Sequence, residues 1–196
     1  MRNFKEVEDF VVGLLKKELP KNLFYHGIHH TLDVLRSAVM IGKEEKITEE
    51  EMLLLKVAVL FHDSGFTQVY KNHEEKGCDL ARQYLPGYGF TQNEIDTICG
   101  MIMATKIPQA PNTKLEKIIA DADLEYLGTD AFDKVSRTLF EEIKIYLNVE
   151  SERQWNIIQM NFLKNHHYFT DFCKKNREAE KQKHLDAIIN IVESYE

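Results

Sequence analysis

Apolar residues recur along this chain at intervals of three and four, and no stretch alternates strictly, so the pattern predicts helix throughout. Phe4, Val7, Phe10, Val11, Leu14 and Leu15 form the first stripe, opened by an Asn3–Glu6 capping-box spacing and closed by Pro20. Gly27 interrupts the lead-in to a second helix whose inner face carries Leu32, Leu35, Ala38 and Val39. His26 and His30 share a face if that helix has begun by His26; if it starts near His29, His30 lies in the first turn. A third helix starts at Thr48 with Glu51 three residues on. Its second half, Val57–Phe61, is apolar all round, which predicts burial at the centre of a bundle. It ends at His62-Asp63, with Gly65 just beyond.

Asn72 with Glu75 marks a fourth start, ahead of His73, Leu80, Ala81 and Leu85, and Pro86 stops that helix. Thr91 with Glu94 starts a fifth, which ends near Ala104-Thr105-Lys106. Residues 107–112 hold two of the four prolines and read as a loop. A short apolar helix through Leu115, Ile118 and Ile119 then runs into Asp121-Ala122-Asp123-Leu124. Asp130 caps a helix bearing Val135, Leu139, Ile143 and Leu147, and Ser151 with Gln154 caps one bearing Trp155, Ile158, Phe162 and Leu163. A long last helix is expected from about Thr170 to Ser194. The predicted fold class is all-α: a single-domain helical bundle over residues 1–196. Trp155, Phe162, Tyr168, Phe169 and Phe172 are most simply core, though rings so spaced are able to wall a nucleobase pocket. His166 and His167 are expected in core or surface roles.

Length and composition fit one globular unit, with 196 residues, 43% of them hydrophobic and 29% charged. A net charge of −7 argues against a general nucleic-acid or anionic-membrane binder, since either needs a basic face. It leaves room for a small anionic substrate where a cation reverses the local field. Three scattered cysteines without a CxxC spacing predict reduced thiols and a cytoplasmic protein. The charged start, Met1–Glu6, has no signal-peptide pattern, and no apolar run approaches a membrane span.

Chemistry enters where apolar helices end or begin at His or Asp: His30, His62-Asp63, and Asp123 or its neighbour Asp121. A buried carboxylate beside an imidazole needs a partner, and a cation is an economical one. Two imidazoles and two carboxylates suit a divalent metal, Mn²⁺, Fe²⁺ or Zn²⁺ and also Mg²⁺, with positions left for water and a phosphate oxygen. Lys106, at a helix C-terminus, is a candidate to neutralise a non-bridging oxygen, against the plain reading that the helix dipole favours it there.

The order His … His-Asp … Asp, in "YHGIHHTLDV", "AVLFHDSGF" and "IIADADLEYLG", resembles the HD-domain superfamily of metal-dependent phosphohydrolases, over about residues 24–128. The resemblance implies a helical HD-type domain with residues 130–196 packed on it. It also implies that His30, His62, Asp63 and Asp123 ligate one or two divalent metal ions, with Asp121 a supporting or alternative ligand. His26 matches the histidine that protonates the leaving oxygen in the cyclic-nucleotide phosphodiesterases. His73, in "HEEKGCDLARQYL", matches a histidine that binds or supports a second metal in the binuclear branch. Ala104-Thr105 stands where that branch has a histidine pair. The implied activity is hydrolysis of a phosphomonoester or phosphodiester by metal-activated water, with a small molecule, in the first instance a nucleotide, as substrate. The alternatives are a non-catalytic metal- and nucleotide-binding module and, needing more histidines than this chain offers, a di-iron oxygenase.

Overall fold

In a computed structural model that describes residues 2–195, four helix starts share one local device. Thr48, Thr91, Thr113 and Ser151 each accept the backbone N–H three residues on, while Glu51, Glu94, Glu116 and Gln154 reach back to the cap. Ten α-helices form among the described residues: α1 Phe4–Glu18, α2 Ile28–Glu44, α3 Glu49–Phe61, α4 His73–Tyr84, α5 Gln92–Ala104, α6 Lys114–Asp123, α7 Phe132–Tyr146, α8 Glu152–Asn165, α9 Asp171–Asn176 and α10 Glu178–Glu193. The described residues contain no strand, so the all-α expectation holds. None of these helices is long and apolar enough to cross a membrane.

Helix α3 lies at the centre, packed on α1, α2, α5 and α6, with Leu54, Leu55 and Val57–Phe61 buried. Its apolar circumference leaves it no solvent face, as its sequence predicted. It delivers His62 and Asp63 into the interior at its C-terminal end. Two glycines let the chain fold back over that end. A side chain on Gly65 would stand 1.9 Å from the carbonyl oxygen of His73, and one on Gly77 would stand 2.6 Å from that of Phe61. α4 therefore sits directly against the His-Asp turn, which carries His73 to the same place.

Three expectations change in detail. Asn72 does not cap α4; it adopts a left-handed conformation (φ 59°) and its side-chain oxygen accepts from Lys106 Nζ at 3.3 Å. Asp130 does not cap α7, which starts from Ala131 without a side-chain cap. The long last helix is two helices, broken at Arg177. The break has a cause: the Arg177 carbonyl lies 2.3 Å from where a Cβ on Gly128 would be, and its guanidinium pairs with Glu125. Docking against the turn after α6 outweighs continuation of the helix.

Most of the core is built from α1–α6. Two smaller apolar clusters lie among the later helices. One joins Leu124, Leu127 and Phe132 to Leu163, Leu185 and Ile188; the other joins Phe140, Ile143, Val149 and Trp155. Asp121 ties the halves together. Its buried carboxylate accepts the Phe169 N–H at 2.9 Å, the Thr170 N–H at 2.8 Å and the Thr170 hydroxyl at 2.6 Å, which seats the start of α9.

Candidate metal centre

Four side chains from three helix termini converge. His30 stands in the first turn of α2, His62 caps the C-terminus of α3, Asp63 follows it, and Asp123 is the last residue of α6. His30 Nε2 is 3.0 Å from Asp123 Oδ1 and 3.5 Å from Asp63 Oδ2. His62 Nε2 is 3.2 Å from Asp63 Oδ2 and 3.5 Å from Asp123 Oδ1. Ligands about 2.1 Å from one cation and at right angles to each other are themselves about 3.0 Å apart. Ligand atoms of His30, His62 and Asp123 all lie within 4.8 Å of one another.

The donor set fits a cation for a further reason. His62 Nδ1 donates to the Val59 carbonyl at 2.7 Å, which leaves Nε2 as the ring's lone-pair nitrogen. That buried Nε2 and the buried Asp63 Oδ2 have no hydrogen-bond partner. Two carboxylates and a lone pair crowded together need a positive charge between them. Two helix C-termini, those of α3 and α6, add negative partial charge at the same point. Burial opposes charge on His62, yet Asp63 and Asp123 hold its imidazole well above the ordinary value, so a divalent cation at Nε2 would take the place of a proton there. Burial likewise works to raise Asp123, but its bond to His30 and the nearness of His62 bring it down to about 2.

Around this cluster stand the other histidines. His73 Nε2 lies 3.5 Å from Asp63 Oδ1, the oxygen turned away from His30, and its ring stacks on Phe66 at 3.8 Å. His26 precedes α2, so it does not share a helical face with His30; the two ring centroids are 6.0 Å apart. His26 Nδ1 donates to Glu142 Oε1. Glu142, fully buried on α7, also accepts the backbone N–H groups of Tyr25 at 2.9 Å and His26 at 3.1 Å, and Tyr70 Oη–H at 3.3 Å. Burial disfavours the charged form of His26, but Glu142 and then Asp63 raise it above the ordinary histidine value. Glu142 was not legible as a site residue. Its one signal is position: three residues after Leu139 and seven after Val135, it falls beside the apolar stripe of its helix.

A cavity of about 300 Å³ opens from the cluster. His26, Asp63, His73 and Asp123 line its inner end, and Trp155 and Phe162 line its far end. Trp155 and Phe162 thus wall a cavity while also packing with the smaller apolar clusters. Tyr168 is core, and Phe172 packs against the main core.

Other sequence candidates stand elsewhere. Lys106 is paired with Glu75 and donates to Asn72; it does not line this cavity, although its neighbours Thr105 and Ile107 do. The Thr105 hydroxyl donates to the Ile102 carbonyl at 2.8 Å. Asp121 is saturated by Phe169 and Thr170 and points away from the ligand cluster's open atoms, which separates it from Asp123. His166 rests beside Lys181, and His167 is exposed.

Comparison with known proteins follows the same line. The family model described as "HD domain" matches residues 27–125. The chain is also similar in structure to a crystal structure at 1.45 Å of a predicted HD superfamily hydrolase from an uncultured Thermotogales bacterium. The TM-score is 0.63 with 18% identity, over 96% of this chain and 92% of that one, so the likeness is one of fold. A stretch of 100 residues, 50% of this chain, is 28% identical to an uncharacterized protein of Clostridium beijerinckii and spans 63% of that protein's length.

Proposed function

The chain belongs to the HD-domain family, and on that premise we propose that it is a metal-dependent hydrolase of a small-molecule phosphomonoester or phosphodiester, acting as a single HD-type unit. His30, His62, Asp63 and Asp123 would hold the divalent cation. The observation that carries this assignment is the pair of buried atoms, His62 Nε2 and Asp63 Oδ2, left without partners among converging ligand atoms. A divalent cation bound there would acidify a water and polarise a phosphoryl oxygen.

The chain's own residues supply the remainder. Nδ1 of His26 is engaged with Glu142, so Nε2 is the atom left to carry a proton to the leaving oxygen. The negative charge of Glu142 favours the protonated ring that a general acid needs. Asp63 spans two positions, with Oδ2 toward His30 and His62 and Oδ1 toward His73. His73, with the neighbouring Glu74 carboxylate 3.6 Å away, supports the second carboxylate oxygen and offers one ligand toward a second ion. Thr105, in place of a histidine, supplies no imidazole there. Tyr25 packs its ring 4.4 Å from that of His30 and forms part of the cavity wall beside the cluster.

Metal analysis of protein purified without chelator, with phosphate release measured on the manganese-loaded form, tests the reading. Wild type is expected to bind metal and release phosphate, and His62→Ala and Asp63→Ala to lose both. Metal and nucleotide binding with no turnover on any phosphoester would instead identify a binding module.

A further inference from the structure

The wall of the cavity carries information that the metal cluster does not. Its charged lining groups are all at the inner end, namely Asp63, Glu74, Asp123 and the two histidines; among the described residues no lysine or arginine lines it. Each phosphate beyond the one at the cluster would bring negative charge into an apolar, acidic recess with no cation to meet it, which is strongly unfavourable. Lys106, which stands between the lining residues Thr105 and Ile107, is already committed to Glu75 outside the cavity.

Several neutral polar groups of the wall are already hydrogen-bonded. Ser136 Oγ donates to Gln159 Oε1, and Gln159 Nε2 donates to Asn156 Oδ1 at 3.2 Å. Thr105 donates to the Ile102 carbonyl, and Tyr70 to Glu142. Aromatic faces at Phe132, Trp155 and Phe162 would accept a nucleobase. A base edge and a ribose also need donors and acceptors, and Ser136, Gln159, Thr105 and Tyr70 have already engaged donors of their own. The rim completes the pattern. Ile107 is 53% exposed, Leu147 50% and Ile158 43%, so large apolar side chains stand in water around the opening.

We propose that this cavity receives an apolar, uncharged organic group, so that the substrate is a phosphoester of a hydrophobic alcohol and not a nucleoside polyphosphate. The proposal rests on the phosphohydrolase reading and narrows the nucleotide that the sequence resemblance implied. A second cavity, on the other side of Tyr25 and Tyr126, also reaches His30 and Asp123 and does contain Lys134 and Arg36; Arg36 there is paired with Asp33. His26, Asp63 and His73 do not line it, so an ester bound from that side would lack the proposed acid.

The test has a catalytic arm and a binding arm. On the manganese-loaded protein, kcat/KM for alkyl phosphates from methyl to octyl is expected to rise by about two- to fourfold per methylene until the cavity is filled. Octyl phosphate should exceed AMP and ATP by at least about tenfold. Ile158→Lys, a change at an exposed position of the rim, should flatten the chain-length dependence. In the binding arm, 1-octanol is titrated into metal-free protein and the emission of Trp155, the chain's one tryptophan, is followed. A saturable shift, weakened in Ile158→Lys, supports the proposal. Nucleotides hydrolysed as well as octyl phosphate would overturn it and leave the hydrolase reading intact, and loss of that nucleotide activity in Lys134→Ala would place the substrate in the second cavity. If no ester is cleaved, the hydrolase reading fails, and the octanol titration alone decides whether the cavity is a site for apolar ligands.

Discussion

Glu142 accepts the Nδ1–H of His26 across a separation of 116 residues, and the same carboxylate holds the backbone N–H groups of Tyr25 and His26. A helix from the later part of the chain thereby fixes the ring that faces the metal cluster from its earlier part.

Glu142→Gln keeps an acceptor but removes the charge that favours a protonated His26. We expect kcat to fall by about tenfold or more with KM little changed, and the alkaline limb of the pH–rate profile, where His26 loses its proton, to move to lower pH. An unchanged profile would remove Glu142 from the mechanism. Glu142→Ala leaves two backbone N–H groups, the His26 Nδ1–H and the Tyr70 hydroxyl without their acceptor and should cost about 2–4 kcal/mol in urea unfolding.

Asp121 and Asp123 lie two residues apart, and the structure gives them opposite duties. Asp123→Asn should lose bound metal with little change in the melting temperature of the metal-free protein. Asp121→Ala should leave metal stoichiometry intact and destabilise the fold by about 3 kcal/mol, since it strips three hydrogen bonds from the start of α9. Metal analysis and thermal melts on both variants separate the roles; equal metal loss in both would contradict this division.

Gly65→Ala would drive a methyl group to 1.9 Å from the His73 carbonyl, which is rigid backbone. The turn and α4 would have to part, shifting Asp63 and His73 together. We expect metal affinity to fall by about tenfold or more, read by competition with a chelating dye, along with lower stability. Metal affinity equal to wild type would show that the close approach is not needed to align the ligands.

His166 predicts an acid-side weakness away from the metal centre. Burial, then the charges of Lys181 and His167, lower it to about 3, against an ordinary value of 6.5. Above pH 6.5 the folded and unfolded chains both leave it neutral and it adds no pH dependence. As pH falls from 6.5 toward 3 the unfolded chain takes up the proton first, so stability drops by at most about 1.4 kcal/mol per pH unit. His166→Gln should flatten the change in urea midpoint between pH 7 and pH 5, and identical slopes in both proteins would refute the assignment.

Helix positions were legible because period and capping are local. Thr48, Thr91 and Ser151 announce their helices within four residues, and the apolar run before His62 announces its own burial. The gathering of His30, His62, Asp63 and Asp123 followed from a family resemblance that the family match then bore out at the level of the domain. The break at Arg177 was invisible, because it depends on Gly128 and Glu125 some fifty residues earlier meeting that backbone.

By itself the amino-acid order determined an all-helical chain and named the ligand candidates, since hydrophobic period, caps and short motifs act over a few residues. Tertiary packing decided which aspartate faces the cluster, which carboxylate holds His26, and that the recess beside them is walled by apolar groups with no cation. Those outcomes depend on which distant side chains share a desolvated space, and charge is tolerated there only where a partner from another helix arrives to meet it.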